Sequence, residues 1–291
     1  MPLLKELFAD QQAGLTVYSP DCTQSRLWGH LDHAIHKVTG FHIARRQWIY
    51  HDINSILRFY HEPGKDLPAK QDPIEALERY NRIPAERLQY GHLVVMLLMQ
   101  GPSLLTIWRG DNAIPRLLEV KGETQPALAN AGSIRGSFWC DNGVCNLIHS
   151  SDNTAEAERE LSALNFDRWL DEEICRLPLI DPIPNPQNYV AHSGIFTVCD
   201  VVQRVLSVQL NSSMSIRPPP SGDAKETHHL LKEHLSELAI NYPFVSLFIE
   251  QFLRGDLIAV TEMLQSLPAT RWEKFVIQCA TVNRELWMNS V

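Results

Sequence analysis

The sequence lacks any run of the roughly 18 uninterrupted apolar residues that a membrane-spanning helix needs. Its opening, MPLLKELFADQQ, carries acids within ten residues and no apolar core of the secretory kind, so a cytoplasmic protein without membrane association is expected. Positive charge is also in short supply. The 26 Lys and Arg against 34 Asp and Glu leave a formal charge of −8, which disfavours nonspecific binding to nucleic acid or anionic lipid. The six cysteines (Cys22, Cys140, Cys145, Cys175, Cys199 and Cys279) form no CxxC pair, which argues against the common zinc and dithiol redox sites and for free thiols. His30, His33 and His36 share an expected helix, but the i, i+3, i+6 spacing rotates His36 off the common face; they read as surface side chains, and no metal site is expected.

What is present is a chain of 291 residues, 44% hydrophobic, long enough for one large domain or two smaller ones. Strand-like stretches run over 14–18 and 42–50, with helical spacing over 24–38, 53–60, 74–80, 113–120 and 155–164. The apolar run His92 to Met99, bounded by Gly91 and Gly101, reads as a buried strand with Leu104 to Trp108 as its hairpin partner. Residues 136–140 and 146–148 are also strand-like, and HEPGKDLPAKQDP reads as a loop. That order suits an α+β domain of the ferredoxin-like, split βαβ kind over residues 1–166.

The stretch Gly122 to Asp152, GETQPALANAGSIRGSFWCDNGVCNLIHSSD, concentrates the chemistry. It holds a threonine, an arginine between glycine-containing turns, and a histidine at the end of an apolar segment followed by Ser150, Ser151 and Asp152. A neutral imidazole can accept a phosphoryl group and return it, and a guanidinium offers phosphate a planar fork of donors.

From about Gly14 to Phe166 the chain resembles the nucleoside diphosphate kinase family, on NLIHSSD and on GETQPALANAGSIRG. The resemblance implies a γ-phosphate moved from a nucleoside triphosphate to a nucleoside diphosphate through a phosphohistidine. It casts His149 as the phosphate acceptor, with Glu160, eleven residues on, orienting the imidazole, and Ser151 completing the motif. Thr124 and Arg135 would bind phosphate oxygens, and Asn146 sugar and phosphate. Tyr60 would reach toward the phosphates, and Tyr80 would stack on the base. The resemblance further implies Mg2+ bound mainly through the nucleotide phosphates, and a homo-oligomer. The chain departs from the family at two cations: Ser19 opens the first motif where a lysine is usual, and Leu118 stands where an arginine is usual. Arg109 and Arg116 are nearby substitutes, otherwise surface charges, and Asp21 reads as a turn or capping residue. Ser150 replaces a usual glycine. The alternative is a catalytically weakened nucleotide-binding or scaffold protein.

Beyond Phe166 the resemblance stops. Residues 167–224 read as a proline-rich connector and accessory segment, with the apolar stretch 194–210 buried and NSSMSIRPPPSGDAKE as an exposed linker. Residues 225–291 form a helical region of four short helices, with Gly255 as a stop and Asp256 as the next cap. The expected role is binding a protein partner or a second copy. His228, His229 and His234 are expected to face solvent.

Overall fold

The computed structural model describes residues 3–60, 73–173, 175–184, 189–210, 223–282, 284 and 287. The HEPGKDLPAK loop and the NSSMSIRPPPSG part of the linker lie outside the described residues. In chain order the elements are α1 (Leu4–Ala9), β1 (Ala13–Tyr18), α2 (Pro20–Gln24), α3 (Trp28–Thr39), β2 (His42–Ile49), α4 (Ile53–Phe59), α5 (Pro73–Asn81) and α6 (Tyr90–Leu98). They continue with β3 (Ser103–Arg109), α7 (Ala113–Lys121), α8 (Ile134–Ser137), β4 (Ile148–Ser150) and α9 (Thr154–Ala163). The remaining helices are α10 (Gly194–Leu210), α11 (Ala224–Asn241), α12 (Pro243–Arg254), α13 (Leu257–Met263) and α14 (Arg271–Val282).

The chain forms two compact units that interleave along the sequence. The first comprises Met1–Arg82, Val94–Lys121 and Leu147–Gln187; the second comprises Ile83–Leu93, Gly122–Asn146 and Asn188–Val291. The boundary expected at residue 166 therefore falls inside the first unit, and the 122–146 segment groups with the C-terminal helices.

The first unit is built on an antiparallel sheet of order β2-β3-β1-β4. Each βαβ pair is split by an inserted strand, which is the ferredoxin-like arrangement, and the protein is of the α+β class. β1 is buried along its whole length and β3 along all but Arg109, because both occupy the sheet interior. β2, an edge strand with a register irregularity between Ile43 and Arg45, keeps half-polar burial. Leu4, Leu7 and Phe8 of α1 and Leu161 of α9 pack with Leu15, Val17, Leu105 and Ile107 of the sheet in one core. On the opposite face of the sheet, the Trp108 indole donates to Thr16 Oγ1 at 3.0 Å, so the buried ring and the buried hydroxyl satisfy each other.

Two strand expectations are corrected. All of the run 92–99 but Met99 lies in α6, where Val95 and Leu98 pack with Ile53, Ile56 and Leu57 of α4 and Ala76 of α5. An unbroken apolar run of seven residues, Leu93 to Met99, suits a buried helix as well as a strand, and periodicity alone does not separate them. β3 consequently pairs with β1 and β2, not with residues 92–99. Residues 134–137 form α8, N-capped by Ser133, which accepts from Gly136 N at 3.2 Å. A side chain on Gly136 would collide with the Asn130 carbonyl, so glycine is required by close approach.

In the second unit, residues of α10–α14 share a core that includes Phe196, Val202, Leu235, Phe248, Phe252 and Ile277. Gly255, at φ 76°, ends α12, and Asp256 caps α13 by accepting from Ala259 N at 3.0 Å. His228 is not solvent-facing: it is buried and stacks on Trp287 at 4.0 Å, while His229 stays exposed beside Glu233. Burial holds the His228 imidazole well below its ordinary pKa, reinforced by the neighbouring Arg284.

Candidate active site

His149 sits within β4, opposite Val17 of the buried strand β1. Asn153 caps the following helix, α9, by accepting from Glu156 N at 2.9 Å, and one turn later α9 presents Glu160 to the strand. His149 Nε2 lies 2.9 Å from Glu160 Oε1, and Ser151 Oγ donates to Glu160 Oε2 at 2.6 Å. Glu160 is 3% exposed, so both of its oxygens are committed inside the fold. The arrangement favours the tautomer in which Nε2–H donates to the carboxylate, leaving a lone pair on Nδ1. Nδ1 has no hydrogen-bond partner among the described residues.

The aromatic wall beside the ring is fixed from the same helix. Arg159 donates to the Arg58 and Phe59 carbonyls at 2.7 and 2.9 Å and lies 3.6 Å from Glu160 Oε1. These bonds tie the end of α4 to α9. They set Phe59 and Tyr60 edge-on to the imidazole, at centroid distances of 5.0 and 6.1 Å.

The backbone entering β4 is strained. Leu147 has φ 72°, a left-handed conformation costing a non-glycine residue on the order of 1 kcal/mol or more. Asp21, fully buried in α2, holds it by accepting from Leu147 N at 2.8 Å, while Ser19 Oγ donates to the other carboxylate oxygen at 2.5 Å. Asp21 thus reaches well beyond its own turn. Ser150 is extended strand rather than left-handed, so glycine is not required there, and its carbonyl accepts from the buried Lys121 ammonium at 3.4 Å.

The remaining phosphate-binding candidates gather in the second unit. Arg135, 4% exposed, donates from Nε to the Asn146 carbonyl at 3.3 Å and from Nη1 to the Gly122 carbonyl at 3.4 Å. Asn146 Nδ2 donates to the Thr124 and Gly143 carbonyls at 3.2 and 2.8 Å, and Tyr90 OH donates to the same Gly143 carbonyl at 2.7 Å. Burial pushes the Tyr90 phenol above its ordinary pKa, against a lowering influence of the Arg135 guanidinium. Sequence reasoning passed over Tyr90 because it lay at the edge of an apolar run read as strand.

Residues 75–168 match the family described as nucleoside diphosphate kinase. Over that segment the chain is similar to the nucleoside diphosphate kinase family. It is 46% identical over 81 residues to a nucleoside diphosphate kinase of Desulfitobacterium hafniense, covering 28% of this chain and 51% of that protein. It is 29% identical over 149 residues to one from Pyrobaculum aerophilum, covering 47% and 73%. The chain spans about half the length of the first of these curated relatives. Among solved structures, a nucleoside diphosphate kinase from Encephalitozoon cuniculi aligns with a TM-score of 0.42 and 20% identity, over 58% of this chain and 96% of that one.

The family segment includes His149, Ser151, Glu160, Thr124, Arg135, Asn146 and Tyr80, while Tyr60 precedes it. Tyr80 is half-buried and packs against the α4, α5 and α6 cluster. Of the two cations considered as substitutes for the missing pair, Arg116 is committed to the Thr39 and Val38 carbonyls at 3.0 Å each. Arg109 is exposed at the end of β3. Among the described residues no group of three His, Cys, Asp or Glu could hold a metal ion, and no helix is long and apolar enough to cross a membrane.

Proposed function

We propose that the protein transfers the γ-phosphate of a nucleoside triphosphate to a nucleoside diphosphate through a phosphohistidine at His149. The observation that carries this reading is the His149–Glu160–Ser151 chain, with Nε2 bonded to the carboxylate at 2.9 Å and the serine hydroxyl on the second oxygen. Nδ1 attacks the γ-phosphorus in line; the Nδ1–P bond forms as the bond to the bridging oxygen breaks, and the diphosphate leaves. Nε2 keeps its proton throughout, and the Glu160 carboxylate stabilises the positive charge that the ring acquires. The second half-reaction reverses these bonds onto an incoming diphosphate.

Thr124, Arg135 and Asn146 are proposed to hold phosphate and sugar oxygens, Tyr60 to border the phosphates, and Tyr80 to contact the base. The donor set around His149 has no spare carboxylate, since Glu160 is already doubly bonded, so the residues do not fit a protein-held metal. Mg2+ is assigned to the substrate, held by its phosphates and water. We further propose a cytoplasmic homo-oligomer, in keeping with six free cysteines and with the family resemblance. Light scattering tests the assembly, which a strict monomer would contradict.

The second reading, a nucleotide-binding scaffold whose C-terminal helices bind a partner, is favoured by the cation positions. Ser19 is engaged with Asp21, and Leu118 is apolar. Steady-state kinetics with varied triphosphate and diphosphate distinguish the two. Parallel double-reciprocal lines are expected for the phosphohistidine route, and nucleotide binding without turnover would establish the scaffold instead.

A further inference from the structure

Away from His149, the first unit carries a concentration of positive charge. A cavity of about 660 Å3 lies among the start of β2, the end of β3 and the segment holding Cys175 and Arg176, with His42, Arg109, Asp111, Arg116 and Arg176 in its lining. That volume is within the range of small-molecule sites. It is set apart from His149 along the sheet. His149 and Leu105 both face Val17, and Arg109 lies four residues further along β3, about 13 Å at the usual rise per residue.

The charges there are unbalanced. Arg116 is spent on the α3 carbonyls of Val38 and Thr39 and lies over the Phe41 ring at 5.1 Å, offsetting the negative end of that helix. Arg109 and Arg176 are exposed, and neither guanidinium has a hydrogen-bond or ion-pair partner among the described residues. Asp111 is the one acid among the described lining residues. The His42 imidazole is held below its ordinary pKa by partial burial, and then by Arg176, His36 and Arg109; the local field already opposes a further proton. His36 does not relieve this, since its Nδ1 is bonded to the Phe41 carbonyl at 2.7 Å. Two planar guanidinium forks beside an imidazole, without a matching number of acids, suit an oxyanion with several acceptor oxygens.

We propose that this cavity binds a multiply charged phosphate anion, held by Arg109 and Arg176, at a site separate from His149. The inference does not depend on the phosphotransfer reading. The ligand chemistry is a diphosphate group, whether free or as the tail of a nucleotide.

Calorimetric titration of the full chain with pyrophosphate tests this in the wild type, the Arg109→Ala/Arg176→Ala variant and Arg135→Ala. The double variant is expected to lose one binding event or weaken it at least about tenfold, at an unchanged melting temperature, while Arg135→Ala retains that event. Asp111→Asn, which removes the opposing acid, is expected to tighten it severalfold. A parallel titration with a nucleoside diphosphate separates the sources: the same arginine dependence identifies a nucleotide tail, and dependence seen with pyrophosphate alone identifies the free anion. Both side chains are exposed, and the Arg109→Lys/Arg176→Lys variant, which keeps the charge, is expected to retain part of the binding if the alanine variant folds poorly. Pyrophosphate isotherms unchanged by the arginine substitutions, or absent in the wild type, would overturn the proposal.

Discussion

Ser151 donates its hydroxyl to the Glu160 oxygen that faces away from His149, at 2.6 Å. The bond anchors the buried carboxylate whose other oxygen meets His149 Nε2, so it acts on the ring through Glu160. Ser151→Ala is expected to lower kcat by roughly tenfold, and Glu160→Gln by about 10- to 100-fold, as when partners orienting a reactive imidazole are removed. Single-turnover transfer rates check this. Unchanged rates in both variants would remove Glu160 from the mechanism.

Asp21 and Leu147 give a stability test. Asp21→Ala leaves the buried Leu147 N–H without its acceptor at a strained left-handed position, and it also frees the Ser19 hydroxyl. The cost of such an unsatisfied buried group is about 1–3 kcal/mol. Urea denaturation should show a loss of that size, together with slower His149 phosphorylation because the entry to β4 loosens.

His51 gives the chain a pH-dependent stability. It is buried, its Nε2 lies 3.1 Å from Ser103 Oγ, and its Nδ1 has no partner among the described residues. Burial lowers its pKa from 6.5 to about 4. Above pH 6.5 the ring is neutral in folded and unfolded chains alike, and its contribution to stability is fully present. As pH falls from 6.5 toward 4 only the unfolded chain takes the proton, so stability declines, by about 3 kcal/mol over the whole window. Denaturation midpoints measured between pH 7 and 4 should fall more steeply in the wild type than in His51→Phe.

Leu118 tests the missing cation. It is half-buried on α7, one turn before Lys121. If the lost arginine limits transfer, Leu118→Arg should raise kcat/KM by tenfold or more, given the hundredfold scale on which single charge-stabilising groups act. A gain in nucleotide affinity without a gain in kcat would instead assign the position to ground-state binding.

Much of the ferredoxin-like sheet was legible because its signals are local. β1 and β2 read as extended stretches, and α3, α4, α7 and α9 as helical spacing. The pairing of His149 with Glu160, which the family resemblance implies, crosses a single strand-to-helix turn and so rests on a short stretch of sequence. α6 was misread because an apolar run bounded by glycines carries no period. The interleaving of the two units, the Asp21 bond to Leu147 and the reach of Arg159 to the end of α4 depend on contacts about 100 or more residues apart, which no window of sequence displays. The cavity beside Arg109 and Arg176 was hidden because it gathers residues from β2, β3 and the segment near Cys175, which are far apart in the sequence.

The central claim is that His149 Nδ1 carries the phosphoryl group. Incubating the full chain with γ-labelled ATP tests it most directly. The predicted result is an acid-labile, alkali-stable label that is absent in His149→Ala and is chased off by a nucleoside diphosphate. Nucleotide binding with no such label, or a label that persists in His149→Ala, would contradict the account.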